Sequence, residues 1–469
     1  MSEIPFESLL NRSLQNLKGF WRDIKARTPF PTGRTIHPDL PNEEIPHIRK
    51  QMQDCLDAKG GEVSARLRAA ELGRAYLHLN PTGRERFLGI LAADFGVHRE
   101  AVIKAAQEYQ HAEGGDNFEK ECRLRDALIA PRVRLLTQFN DLPEGVKFLV
   151  DLRSDLLDNL KSHPEFQPLD WDLKSLLASW VDVGFLELRR ISWDSPASLL
   201  EKLIAYEAVH EIESWTDLRN RLESDRRCYA FFHPHMPGEP LIFIEVALLD
   251  QMAGSIQVLL DTEAPEFNPR GARTAIFYSI NNTQKGLRGI SFGNFLIKRV
   301  VDDLLRDFPR LKQFATLSPA PGFCHWLSEQ ISGGGSLLTE AESKSIETGT
   351  GRDPDIALQA VLADPGWNQD LALAASLETP LLRLCARYLT EAKRGGRPLD
   401  PVARFHLGNG AVIEKLNWLG DTSPIGLKRS AGIMVNYGYR LEEIEKNHEN
   451  HVGTGAVALA PPVRRLLKS

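Results

Sequence analysis

The period of the hydrophobic pattern changes near residue 185, and this constrains the chain more than any single motif. Before that point apolar residues recur every three or four positions. "GVKFLVDLRSDLLDNL" sets Leu149, Leu152, Leu156 and Leu160 on one face of a helix. "NPTGRERFLGILAADFG" reads as a helix with a proline near its start and a glycine at its end, and "HREAVIKAAQEY" and "WDLKSLLASWVDV" repeat the texture. No grouping with catalytic spacing occurs in this half, which reads as a helical scaffold or oligomerisation domain. Beyond residue 185, "FLELRRISW", "CYAFF", "PLIFIEVALL", "TAIFYSI" and "FATL" are short runs of branched and aromatic residues, with helical stretches between them. Alternation of this kind indicates a mixed α/β domain. The expected fold class is an all-helical domain over residues 1–184 followed by a mixed α/β domain over 185–469, a length that suits two cores. One stretch, "SGGGSLLTEAESKSIETGTGRD", is rich in glycine and serine at both ends and reads as a mobile insertion over 333–352.

Composition excludes several classes. A net charge of −6 gives no global attraction to nucleic acid or an anionic membrane. Five cysteines, far apart and without a CxxC pair, argue against a disulfide framework or a zinc ribbon and suit a reducing compartment. "MSEIPFESLLNRSL" carries acidic residues and no apolar core, so it is read as neither a signal peptide nor a transit peptide. The terminal "RRLLKS" is not a peroxisomal ending, and no apolar run could span a bilayer. A cytoplasmic protein is expected.

The segment "RGISFGNFLIKRVVDDL" holds Gly289-Ile290-Ser291-Phe292-Gly293, the spacing of a serine-hydrolase nucleophile elbow. An elbow needs its first glycine at the end of a strand. Here the nearest strand, read as Thr274 to Ile280, stops well before Gly289, with the polar stretch "NNTQKGLR" between. The order strand, basic glycine loop, helix fits an anion site better. Glycines let the backbone approach a ligand, the first helical N–H groups face it, and Lys285 and Arg288 add charge. The amphipathic helix follows in Ile297, Val300, Val301, Leu304, Leu305 and Phe308. A plain αβ connection has the same spacing. His233 and His235 in "HPHMPGEP" are spaced like a metal pair but have no third ligand in sight, so no metal is expected.

That loop resembles the pyrophosphate arm of the GNAT acyl-CoA superfamily. "ARFHLGNGA" is similar to its late segment Ala-x-x-Phe-Tyr-x-x-x-Gly, with Phe405 and His406 in place of Phe-Tyr and Gly410 in place of the glycine. Longer blocks narrow the resemblance: "RRCYAFFHPHMPGEPLIFIEVAL", "AIFYSINNTQKGLRGISFGNFLIKRVV", "TLSPAPGFCHWL", "DPVARFHLGNGAVIEKLNWLGD" and "GIMVNYGY" together look like the malonyl-CoA decarboxylase family. The second half is then expected to be a GNAT-like catalytic domain.

This resemblance implies conversion of malonyl-CoA to acetyl-CoA and CO2, with no cofactor, since the thioester itself absorbs the electrons left on Cα. It implies that Ser318 and His406 are the catalytic pair. His406 would protonate the enolate carbon, and an ordinary histidine pKa of about 6.5 would keep both its forms accessible. Ser318 would bond the malonyl carboxylate or the thioester oxygen, or accept a proton. Arg288, Gly289, Ile290, Ser291, Phe292, Gly293 and Asn294 align with the substrate-binding segment, and Tyr439 and Lys285 are candidates for support. Animal members have an acidic residue where this chain has Ser291, which leaves the backbone cradle intact but puts in doubt any ordering role for that side chain. A homodimer or homotetramer is also implied. The alternatives are a GNAT-type acyltransferase, which needs an acceptor channel, and a non-catalytic acyl-CoA sensor.

Overall fold

The computed structural model describes residues 36–57, 62–112, 116–223, 225–290, 296–334, 337–364 and 366–468. They fall into two compact units. One takes the described residues within Met1–Glu187, Phe231–Ile242 and Asn282–Phe292; the other takes those within Leu188–Ala230, Phe243–Asn281 and Gly293–Ser469.

The first unit contains the helices expected from the period of the sequence. Asn80 caps Pro81–Asp94 by accepting Gly83 N–H at 2.9 Å, and Pro81 occupies the first turn, where a missing N–H costs nothing. Gly145–Asn159 buries Leu149, Leu152 and Leu156 completely, while Leu160 caps the helix end, half-exposed. The Phe148 ring meets Phe139 at 4.9 Å and Tyr76 at 5.7 Å, building an aromatic core.

The strands are β1 (Glu187–Ile191), β2 (Arg226–His233), β3 (Met236–Leu249), β4 (Thr274–Asn282), β5 (Gln313–Thr316), β6 (Ser318–Pro319), β7 (Lys393–Arg394), β8 (Arg397–Pro398), β9 (Val412–Asn417) and β10 (Met434–Gly438); most of their residues fall in the second unit, while Phe231–Ile242 of β2 and β3 count with the first. The main sheet has the order β1-β2-β3-β4-β5-β10-β6, with β9 also on β10, while β7 and β8 form a separate ribbon. β4 and β5 run parallel, and their pairing ends at Phe277 opposite Thr316 although β4 continues to Asn282. On its other edge β5 pairs β10, with Gly438 opposite Ala315, and β6 continues the same antiparallel register with Val435 opposite Ser318. The helix Leu296–Asp307 buries Ile297, Val300, Val301 and Leu304 as its pattern requires.

The stretch read as a mobile insertion instead carries the helix Glu340–Thr350, started by a capping box between Thr339 and Glu342. Ile346 is fully buried, and Glu342 forms a buried ion pair with Arg383 at 2.6 Å. The glycines bound the segment, and the capping pair Thr339 and Glu342 within it starts the helix.

Glu245 sits fully buried in β3, 3.4 Å from Arg221, with its Oε1 unpartnered. Burial, then the nearby Glu207 charge, pushes its carboxyl up to about 8 despite Arg221. The folded form therefore holds a proton that the unfolded chain releases near its ordinary pKa, and stability falls as pH rises from that value towards 8. Glu245→Gln is expected to remove this slope and give a higher melting temperature than wild type above pH 8. Parallel melting curves for the two proteins from pH 5 to 9 would refute it.

Candidate active site

Strand geometry assembles the site within the second unit. Side chains two apart on a strand share a face. Thr316 and Ser318 therefore project together from the β5–β6 segment, and Tyr437 and Tyr439 project together from β10 or just beyond it. Ser318 continues the strand line opposite Val435. Ser318 Oγ donates to Thr316 Oγ1 at 2.9 Å, and Tyr437 N–H donates to the same Thr316 oxygen at 3.2 Å.

His406 arrives from the helix Pro401–Gly408. Asp400 caps it, accepting Val402 N–H and Ala403 N–H, each at 2.9 Å. The other Asp400 oxygen accepts Tyr388 O–H at 3.1 Å and Gly322 N–H at 3.5 Å, tying this helix to the loop that follows Ser318. The far end closes in a Schellman arrangement, with Ala411 N–H on His406 C=O at 3.1 Å and Gly410 N–H on Leu407 C=O at 3.0 Å. Gly410 has φ +79°, and a Cβ there would stand 2.2 Å from Ile444 O. The glycine of the sequence motif is thus the helix terminator.

The imidazole bridges both strands. His406 Nε2 lies 3.3 Å from Ser318 Oγ, and Nδ1 lies 2.7 Å from Tyr439 Oη. The Tyr437 ring stacks on the imidazole at 4.6 Å, with an interplanar angle of 25°. His406 is only 3% exposed and Ser318 8%. Here the structure corrects the sequence: burial pushes the His406 pKa down to about 3, so the ring is neutral through the physiological range. Phe405, its neighbour, is exposed and sets its ring edge-on to the imidazole, with 5.0 Å between centroids.

The structure brings Ser318, His406 and Tyr439 together. Lys285, Arg288, Gly289 and Ile290 belong to the first unit. Lys285 is paired with Asp158, Arg288 and Gly289 are exposed, and Gly289 has φ +77°. Arg153, a residue passed over in the sequence, holds this loop: its Nη1 donates to Gly286 O at 2.7 Å and Arg288 O at 3.0 Å. Ser291, Phe292, Gly293 and Asn294 lie outside the described residues, so the substrate-segment and elbow readings of those four fall outside them too. His233 Nδ1 accepts from His235 N–H at 3.2 Å, a turn contact. Among the described residues no three metal-binding side chains cluster, and no helix is long and apolar enough to cross a membrane.

Residues 184–469 match the malonyl-CoA decarboxylase C-terminal domain, and residues 95–181 match the malonyl-CoA decarboxylase N-terminal domain. The chain belongs to the malonyl-CoA decarboxylase family. The mitochondrial malonyl-CoA decarboxylase of Anser anser anser is 41% identical over 410 residues, covering 83% of this chain and 81% of the relative. That of Rattus norvegicus is 39% identical, covering 82% of each. The crystal structure of malonyl-CoA decarboxylase from Rhodopseudomonas palustris superposes with a TM-score of 0.82 at 41% identity, over 90% of this chain and 99% of the other. The Agrobacterium vitis structure gives 0.81 at 42% identity over the same shares.

Proposed function

We propose that the chain decarboxylates malonyl-CoA to acetyl-CoA and CO2 through a thioester enolate that His406 protonates. The observation that carries this reading is the buried contact of Ser318 Oγ with His406 Nε2 at 3.3 Å, in a chain that belongs to this family. As the bond from Cα to the carboxylate breaks, its electron pair passes into the thioester and CO2 leaves. Ser318 is then a donor to the developing oxyanion or to the departing carboxylate, and donors placed in a low-dielectric wall act most strongly there. One proton must be taken up per turnover to make the methyl group of acetyl-CoA. Because burial keeps His406 neutral, the charge of the bound malonyl group is what favours the imidazolium, and the proton enters with the substrate.

The loop from Arg288 to Asn294 is assigned to the CoA phosphates, with no organic cofactor or metal in the cycle. Homo-oligomerisation through the helical unit completes the reading. It is supported by the helix Asn117–Leu128, which buries no residue and leaves Phe118 73% exposed. A cytoplasmic setting accords with five free cysteines.

Purified protein given malonyl-CoA alone is expected to yield acetyl-CoA and CO2 in equal amounts. Turnover only with an added amine or carrier protein would make it an acyltransferase, and release of free CoA thiol would make it a hydrolase. Binding without turnover would leave an acyl-CoA sensor.

A further inference from the structure

We infer that Thr316 is a positioning residue that fixes the tautomer of His406, acting through Ser318. The chain of contacts is continuous and buried. Thr316 is fully buried at the last β4–β5 pairing, where Asn436 Nδ2 donates to its carbonyl at 2.8 Å and holds the backbone. Its Oγ1 accepts both the Tyr437 N–H and the Ser318 hydroxyl hydrogen. A hydroxyl has one hydrogen to give. With that hydrogen on Thr316 until substrate offers a stronger acceptor, Ser318 meets His406 Nε2 as an acceptor, so Nε2 carries the ring proton. Nδ1 is then bare and accepts from Tyr439, whose hydroxyl has no other hydrogen-bond partner among the described residues.

Every hydrogen bond in this series points the same way, from Tyr439 through His406 and Ser318 to Thr316. Reversing it would give Nδ1–H, turn Thr316 into a donor to Ser318 and Ser318 into a donor to Nε2, and transfer the one unplaced hydroxyl hydrogen from Thr316 to Tyr439. The direction matters for the proposed reaction, on which the functional part of this inference rests. It places the transferable hydrogen on Nε2, the nitrogen facing Ser318, rather than on the nitrogen facing Tyr439. The tautomer of a neutral histidine is set by the bond its other nitrogen makes, and here both ends of the ring are set.

The test uses full-length, ligand-free protein with ¹⁵N-labelled histidine, the His406 signals being assigned among 13 histidines by their loss in His406→Gln. Wild type is expected to show a protonated Nε2 and a bare Nδ1. Thr316→Val keeps the shape and removes the acceptor; it is expected to shift His406 towards Nδ1–H and lower kcat about tenfold with little change in KM. Thr316→Ser restores the acceptor and is expected to restore both. Ser318→Ala breaks the same link with Thr316 intact, so its ring signals should move as those of Thr316→Val do, which keeps the test decisive if the valine variant folds poorly. A wild-type ring protonated at Nδ1 overturns the inference. So does an unchanged tautomer in both Thr316→Val and Ser318→Ala, even with kcat reduced, because Thr316 would then act through packing. The ring signals are read without substrate, so failure of the decarboxylase assay and failure of this inference are separate results.

Discussion

His406→Gln is expected to lower kcat by about 10²–10⁴-fold, the range that a positioned acid contributes, while CoA binding is retained. Glutamine fills a similar space and can still donate a hydrogen bond near Ser318, but it cannot carry a proton to carbon. Ser318→Ala is expected to cost about 10²–10³-fold, as loss of one oxyanion donor does. Because the two side chains are in contact, the double variant should be only slightly worse than the poorer single variant. Losses that multiply would mean independent roles. Full activity in either single variant would remove that residue from the mechanism.

The same substitution has a stability signature with the opposite sign. The His406 pKa is depressed to about 3 in the folded protein, so the unfolded chain binds a proton that the folded chain refuses. Stability is therefore lost as pH falls from the ordinary histidine value towards 3. His406→Gln does not titrate and should melt higher relative to wild type at pH 5 than at pH 8. An enzyme that loses turnover yet gains acid stability on the same change would tie both effects to one buried imidazole.

What the sequence disclosed depended on how local each signal was. Helices such as Gly145–Asn159 and Leu296–Asp307 were legible because their apolar residues repeat within a few positions. β9 and β10 give no clear strand signal in the sequence. β9 carries Glu414 and Lys415 amid its apolar residues, and β10 includes Asn436 and Gly438, which dilute the strand signal while serving the sheet and the site. Ser318 and His406 were placed by resemblance to a family, since 88 residues separate them and no spacing rule joins them. Thr316 had a signal that went unused: it stands two positions before Ser318 on a strand, hence on the same face. Asp400-Pro401 likewise spells a helix start immediately before the histidine helix. The depressed pKa of His406 could not be read at all, because it arises from burial that only the tertiary structure supplies.

Arg153→Ala is expected to be among the most destabilising single changes in the helical unit, costing about 3–5 kcal/mol. The guanidinium is 2% exposed, its Nε pairs with Asp170 at 2.8 Å, and its Nη1 serves the carbonyls of Gly286 and Arg288. Alanine would leave a carboxylate and two carbonyls without their donor, which costs more than the bonds themselves are worth. No other donor can move in easily, since Gly286 is pressed so closely on the helix that a Cβ there would lie 1.8 Å from Val150 O. Arg153→Lys retains the charge but not the fork that reaches both carbonyls and Asp170, and should fall between alanine and wild type. The kinetic consequence separates a scaffold from a substrate site. If the loop from Arg288 onward holds the CoA phosphates, Arg153→Lys should raise KM for malonyl-CoA by about tenfold with kcat nearly unchanged, as loss of uniform binding does. A lower denaturation midpoint with KM intact would leave Arg153 a purely structural strut and send the search for the phosphate contacts elsewhere. A fall in kcat alone would mean that the loop reaches the reacting end of the substrate.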